Sequence, residues 1–257
     1  MSRFAWTTLL AIAAASIAAI LLRGEARNWA VAAVWGGYLP IFVCGLVFIR
    51  LNYFCPAICR GFVGQKWIAL TFDDGPDPQT TPPLLDLLAR EKISATFFCI
   101  GKNVAAHPQV AARIIAEGHL IGNHSFRHPW YISLLWSGPL RQELESAQRA
   151  IEDACGVRPV YFRPPMGMTS PSFSKALRQT GLMMAGWDVR SLDTVLATPK
   201  IIERVVAKAR GGSIILLHDG GAEREKLLEI VSAAISQLRE RGFSFERLDR
   251  LAGQRPA

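Results

Sequence analysis

The 257-residue sequence predicts an α/β fold in which about seven parallel strands curl toward a barrel, preceded by an N-terminal transmembrane helical hairpin. Three observations carry this expectation. Beyond Arg60, short apolar runs alternate with longer amphipathic stretches, the order that yields a parallel sheet flanked by helices. Several of those stretches open at Pro and close at Gly, as helix ends prefer. Ahead of them lie two charge-free segments of roughly 20 residues, each enough to cross about 30 Å of hydrocarbon as a helix.

The charge-free segments cover residues 4–22 and 29–49, and with the linker to about residue 60 they are read as a membrane anchor. A secretory signal would need a shorter apolar core and a small-residue cleavage site, which the first segment lacks. A one-span version treats 29–49, with Gly36, Gly37 and Pro40, as interfacial or re-entrant. A hairpin joined by residues 23–28 puts the N-terminus and the rest of the chain on one side. There Arg3, Arg50, Arg60 and Lys66 outnumber Arg23 and Arg27, which favours a cytoplasmic location at a bacterial-type inner membrane over a periplasmic or extracellular one. Cysteine usage agrees: Cys44, Cys55, Cys59, Cys99 and Cys155 are an odd set with no disulfide framework, and Cys55 and Cys59 have no second pair to complete a metal site. The net charge of +8 comes without a nucleic-acid motif and is read as a basic face toward anionic lipid.

Strands are expected at 67–72, 95–100, 119–121, 160–162, 182–185, 213–217 and 243–245, and helices at 81–91, 108–117, 139–155, 172–180, 199–210 and 223–241. The unusual residues gather at the ends of these strands, where such folds keep their chemistry.

Asp73 and Asp74 stand where an apolar run gives way to a turn, in Leu70-Thr-Phe-Asp-Asp-Gly-Pro-Asp-Pro78. Adjacent carboxylates need a cation or a proton to be tolerated so close together. His124 and His128 are spaced i, i+4 and face one way if their loop has helical curvature. With a carboxylate from Asp73 or Asp74 they would make a two-His, one-carboxylate metal face; alone they would read as a surface turn ended by Pro129. The other acid is then free to act as base toward water, whose pKa a divalent ion lowers from about 15.7 to near 7. His218, closing the run Ile-Ile-Leu-Leu-His218, is placed to act as the acid, whereas His107 and His119 flank helices and are read as surface or structural. Arg163 begins Arg163-Pro-Pro-Met-Gly167, whose prolines hold an extended turn from which it can pair with the free acid. A surface ion pair worth ~1 kcal/mol or less is the plainer reading. An acid among Asp188 and Asp193 would orient His218. Trp187 is either core or a wall for a sugar ring.

Together, Thr71-Phe-Asp-Asp-Gly-Pro76, Ser94-Ala-Thr-Phe-Phe98, His124-Ser-Phe-Arg-His128, Arg163-Pro-Pro-Met-Gly167, segment 187–193 and Leu216-Leu-His218 resemble the ordered motifs of the polysaccharide deacetylases, the NodB-homology group of carbohydrate esterases. The resemblance implies a distorted (β/α) barrel over residues 66–250 that removes N-acetyl groups from amino sugars with a divalent metal. It implies Asp73 as general base, Asp74, His124 and His128 as metal ligands, and His218 as general acid. Arg163 would tether Asp73, and Asp193 would belong to the polar set tuning His218 or Arg163. Pro165, Trp187 and Leu216 would meet substrate, Leu216 at the acetyl methyl. Zinc suits the ligand set, which also accepts cobalt, manganese, nickel or iron. Thr194 follows Asp193 where the family commonly has Trp; Trp187 or Trp130 would supply that ring.

The expected partners are thus an N-acetylated carbohydrate, free or lipid-linked, and the membrane. A cytoplasmic domain suits a lipid-carried sugar, and an external one suits peptidoglycan or an exported polysaccharide. The same machinery would serve an O-acetyl esterase or an N-deformylase acting on a related sugar. A catalytically silent, membrane-tethered carbohydrate-binding module is the reading from a different class; its signature would be a lost ligand or base, and none is lost.

Overall fold

The computed structural model describes residues 2–62 and 64–253. Two helices, α1 (Arg3–Leu21) and α2 (Gly24–Val47), form an N-terminal hairpin. Both are long and apolar enough to cross a membrane, and most of their side chains, among them Leu10, Ile20 and Trp29, are exposed rather than packed on the rest of the protein. The connection is shorter than the expected loop 23–28. Residues 24–28 instead form the start of α2, where Glu25 faces the positive end of the helix dipole. The helix then runs through Gly36, Gly37 and Pro40 without interruption. At its base Phe4, Phe42, Tyr53 and Phe54 interlock, and Thr7 Oγ1 lies 2.6 Å from the Tyr53 hydroxyl.

The chain then alternates: β1 (Ala57–Ile58), β2 (Trp67–Asp73), α3 (Thr81–Arg90), β3 (Thr96–Cys99), α4 (Gly101–Ala106), α5 (Pro108–Ala116), β4 (Leu120–Asn123), α6 (Ser137–Cys155), β5 (Tyr161–Phe162), α7 (Pro171–Thr180), β6 (Met183–Ala185), β7 (Val189–Arg190), α8 (Thr198–Lys208), β8 (Ile214–His218), α9 (Arg224–Glu240), β9 (Ser244–Phe245) and α10 (Leu248–Leu251). The strands pair in parallel in the order β1-β6-β5-β4-β3-β2-β8-β7, with β9 against the start of β2. All seven expected strands form, with ends shifted by one or two residues. The additions β1 and β7 have two residues each, too few for any periodicity to show.

These short strands shape the site. Beyond β1, Arg60 bridges Ser213 and the Gly61 N–H donates to Gly212 O at 2.8 Å, so the segment beside β6 also reaches the start of β8. The sheet therefore curls into a half-barrel. Helices α3, α8 and α9 cover its outside; α9 buries Leu227, Ile230, Val231, Ala234, Ile235 and Leu238, the one-sided stripe of a 3.6-residue period. A second cluster joins Ile49 at the hairpin base to Ile132, Phe162, Phe173 and Met184. Because the strands are parallel, Asp73, Asn123, Arg163, Gly186 and His218 all emerge at one end.

Candidate active site

The Asp73–Asp74 pair splits at the end of β2. Asp73 is the last strand residue, level with Phe98 and His218. Asp74 then takes a left-handed conformation with φ of 75°, which turns its side chain away from its neighbour's path. Asn103 Nδ2 holds the Asp74 carbonyl at 2.9 Å, and only a glycine at 220 lets the β8 loop pass so close to it.

Facing Asp74 are both histidines. His124 Nε2 and His128 Nε2 stand 3.3 and 3.2 Å from Asp74 Oδ1. The loop carrying them lacks the expected helical curvature, and the two imidazoles converge through a different backbone path. Asn123 Oδ1 accepts the Ser125 N–H, Ser125 Oγ accepts the His128 N–H, and Ser125 and His128 both have positive φ. Glu143 then accepts from the N–H groups of Phe126 and Arg127, pinning the loop to α6. Asn123 and Glu143 have no signature in the sequence pattern; both act on backbone.

These residues fit a metal ion. The ligand atoms of Asp74, His124 and His128 lie within 4.8 Å of one another. Asp74 Oδ1 is buried without a hydrogen-bond partner among the described residues, a costly state that a cation relieves. His124 Nδ1 lies 2.7 Å from Arg163 O, which as an acceptor fixes the proton on Nδ1 and leaves the Nε2 lone pair directed into the site. Burial, with His124 nearby, lowers the pKa of His128 and favours the neutral imidazole that a metal requires.

Asp73 is held from the other side. The Arg163 side chain is fully buried and donates from one terminal nitrogen to Asp73 Oδ1 at 2.7 Å and Thr71 Oγ1 at 2.8 Å, and from the other to Gly186 O at 2.9 Å. Its guanidinium lies 4.0 Å over the Phe98 ring. Burial pulls the arginine's pKa down, and the Asp73 carboxylate opposes that pull. The second Asp73 oxygen, Oδ2, stands 3.9 Å from His124 Nε2, at the edge of the metal cluster.

Opposite, Asp193 Oδ1 lies 2.9 Å from His218 Nδ1 and Oδ2 accepts the His218 N–H at 2.8 Å. Ser191 Oγ steadies Asp193 at 2.8 Å. Burial works against a charged His218, but the bond to Asp193 and its charge outweigh it and lift the pKa to about 9. Asp188 is the acid that does not reach His218; it binds Ser213 and the Ile214 N–H. His119 is structural: it accepts the Ala95 N–H, and burial drops its pKa to about 4. Asp219, beneath the site, is fully buried; Thr81 donates to Oδ2 at 2.5 Å, while Oδ1 has no partner among the described residues. Burial, reinforced by Asp74 and Asp73, pushes its pKa to about 7.

Of the residues expected to meet substrate, Pro165 and Leu216 are buried, and Met166 is the residue of its motif that reaches solvent. Trp187 is half-buried against Gly167, 5.7 Å from the Arg163 guanidinium. Thr194 and Trp130 are exposed.

The polysaccharide deacetylase family model matches residues 61–185. Over 190 residues the chain is 35% identical to the peptidoglycan-N-acetylglucosamine deacetylase of Bacillus cereus, covering 73% of this chain and 88% of that one. The chain belongs to the polysaccharide deacetylase family. It is also 34% identical over 227 residues to a chitooligosaccharide deacetylase of Bradyrhizobium sp., covering 83% of this chain and 98% of the relative. The crystal structure of the Bc1960 peptidoglycan N-acetylglucosamine deacetylase superposes with a TM-score of 0.72 at 30% identity, over 77% of this deacetylase-family chain and 92% of that one.

Proposed function

We propose that this chain is a membrane-anchored, metal-dependent hydrolase that removes N-acetyl groups from amino-sugar residues of a glycan, soluble or lipid-linked. The peptidoglycan-N-acetylglucosamine and chitooligosaccharide deacetylases among its Bacillus and Bradyrhizobium relatives support an N-acetylated amino sugar as the substrate class. One observation carries the reading: Asp73 and Asp74 are adjacent in sequence but engage different partners, Arg163 for one and two imidazoles for the other.

Asp74, His124 and His128 would hold the ion, zinc or another divalent metal of similar ligand preference. When bound, it would supply Lewis-acid polarisation of the acyl oxygen and a more acidic water. The rest falls to protein groups. Asp73 takes a proton from the attacking water at Oδ2, since Arg163 occupies Oδ1 and holds the carboxylate in place. The new C–O bond forms as the carbonyl π pair moves to oxygen. As that pair returns, the C–N bond breaks and His218 Nε2 donates its proton to the leaving nitrogen. Asp193 keeps His218 charged and its Nδ1 occupied, so that Nε2 is the donor.

The anchoring reading rests on α1 and α2, exposed and apolar all round, with Arg3 and Arg50 flanking the end attached to the catalytic domain. The catalytic test is a pair of substitutions. Asp73→Asn should retain stoichiometric metal while turnover falls by roughly 10²–10⁴-fold, and Asp74→Ala should lose the metal itself. Equal metal loss in both would show that the two acids do not divide the work. Acetate released from an ester but never from an N-acetylhexosamine oligomer would move the activity to O-acetyl groups.

A further inference from the structure

The loops that carry the site residues also expose apolar side chains. The loop from β4 to α6, which carries His124 and His128, leaves Trp130, Leu134 and Trp136 exposed at 74%, 72% and 83%. Met166 is exposed on the β5–α7 loop that follows Arg163, and Val195 on the loop that carries Asp193. Single exposed hydrophobic residues are ordinary. Five on the three loops that leave the same end of the sheet exceed scattered single exposures, and exposed apolar surface of this kind marks a face that meets something apolar.

The hairpin joins the domain on these same loops. Thr169, on the β5–α7 loop, donates from its N–H to Leu46 O at 2.9 Å and from its hydroxyl to Gly45 O at 3.1 Å, gripping the last turn of α2. Just past α2, Ile49 packs against Gly186 at the end of β6, where a Cβ would crowd both Ile49 and Cys59. Ile49 also shares a buried cluster with Ile132 and Leu135, from the loop that exposes Leu134 and Trp136. Arg3 and Arg50 stand at this end of the hairpin, and Arg3 donates to Leu51 O at 2.7 Å. Arginines at the ends of apolar helices mark the level of lipid headgroups, and Trp and Tyr favour the same level.

We infer that the apolar rim seats in the leaflet from which the hairpin emerges, so that the catalytic mouth opens onto headgroups and takes an amino sugar carried on a membrane lipid. This rests on the reading of α1 and α2 as membrane spans. The hairpin sets the height, the shared cluster around Ile49 sets the tilt, and Trp130, Leu134, Trp136, Met166 and Val195 form the contact. Soluble oligomers would reach the same residues only from the side.

The test uses the full chain reconstituted in vesicles whose lipids carry bromine on the acyl chain close to the headgroup. Tryptophan emission of the wild type is compared with that of Trp130→Phe/Trp136→Phe. The difference reports the rim, and the emission left in the double variant comes from Trp6, Trp29 and Trp35 of the hairpin together with Trp67 and Trp187 of the catalytic domain, so the hairpin is read from its quenched fraction relative to Trp6→Phe/Trp29→Phe/Trp35→Phe. Quenching of the difference supports the inference. An unquenched difference with a quenched hairpin overturns the rim and leaves the anchor standing; an unquenched hairpin removes the anchor and the inference with it. A second measurement separates lipid from sugar contact through Leu134→Ser/Val195→Ser, neither of which can stack on a sugar ring. Its kcat/KM should fall about tenfold on a vesicle-borne N-acetylglucosaminyl lipid and stay unchanged on a soluble chitooligosaccharide. An equal fall on both, or none on either, overturns the proposal.

Discussion

Replacing Asp193 with Asn tests the proton economy of the site with little change in volume. In the wild type, Asp193 lifts His218 to a pKa of about 9 against the effect of burial. Without that carboxylate, burial meets only the weaker pull of Asp73 and Asp74, and the imidazole returns to about 6.5 or below. At pH 8 the protonated fraction then drops from about 0.9 to about 0.03, a loss of roughly 30-fold in a step that needs the charged form. At pH 6 an imidazole near 6.5 is still mostly protonated, so the penalty there shrinks to about twofold or less if burial leaves the variant at that value and grows only if burial carries it below 6. A cation in the nearby ligand set displaces both profiles in the same direction, so the quantity to read is the difference between them. The assay is amine release from a chitooligosaccharide between pH 5.5 and 10. An Asp193→Asn profile parallel to the wild type across the alkaline limb would refute the assignment of His218 as the acid, or of Asp193 as the group that charges it.

The same pair stabilises the fold within a pH window. His218 is raised above its unfolded value, so its contribution is complete below about pH 6.5 and is lost as pH climbs through about 9. Asp193 is held below the ordinary carboxylate range, burial notwithstanding, by His218 and Ser191, so the acid side fails only as pH falls through that lowered value. The Tm gap between wild type and Asp193→Asn should therefore be widest near pH 5–6.5, where both groups are charged. Asp219 is shifted the opposite way to Asp193: its raised pKa of about 7 means that stability falls between about pH 4 and 7, where the unfolded chain has released a proton that the buried group still holds. Asp219→Asn should flatten that fall, and an unchanged pH dependence of Tm would count against it. Arg163→Met strands Asp73 in a buried site, a loss of about 3–5 kcal/mol that lowers Tm by roughly 6–20 °C. Gly45→Ala places a methyl in the Tyr53 ring and should loosen the hairpin base, measured as faster proteolysis between α2 and β1.

Much of this was legible in the sequence because the relevant signals are local. The run at 67–72 is continuous and apolar because β2 is covered on both faces, and the Pro-opened, Gly-closed stretches became helices for the reasons their ends suggested. Signals that depend on distant partners were not legible. Strands β1 and β7 are defined by the edges they join rather than by their own residues. The short α4 lay hidden behind β3, with six residues and no room for a repeat. Residues 24–28 looked like a loop because three of them are charged or polar, yet the end of a helix accommodates such residues well. At the site, spacing brought out His124 and His128, but their convergence depends on Asn123, Ser125 and Glu143 acting on the backbone. Thr71 and Ser191 support Arg163 and Asp193 through single hydroxyls, which no pattern of charge or hydropathy distinguishes from surface residues.

Arg163 serves both halves of the site through different parts of itself. Its guanidinium aligns Asp73, and its carbonyl sets the tautomer of His124. A substitution at this position removes the first contribution and leaves the second, since every residue keeps a carbonyl. Mutagenesis will therefore always portray Arg163 as a partner of the base alone. Its hold on the ligand set can be exposed only by moving the main chain, and Pro164, immediately after it, is the natural place to do so.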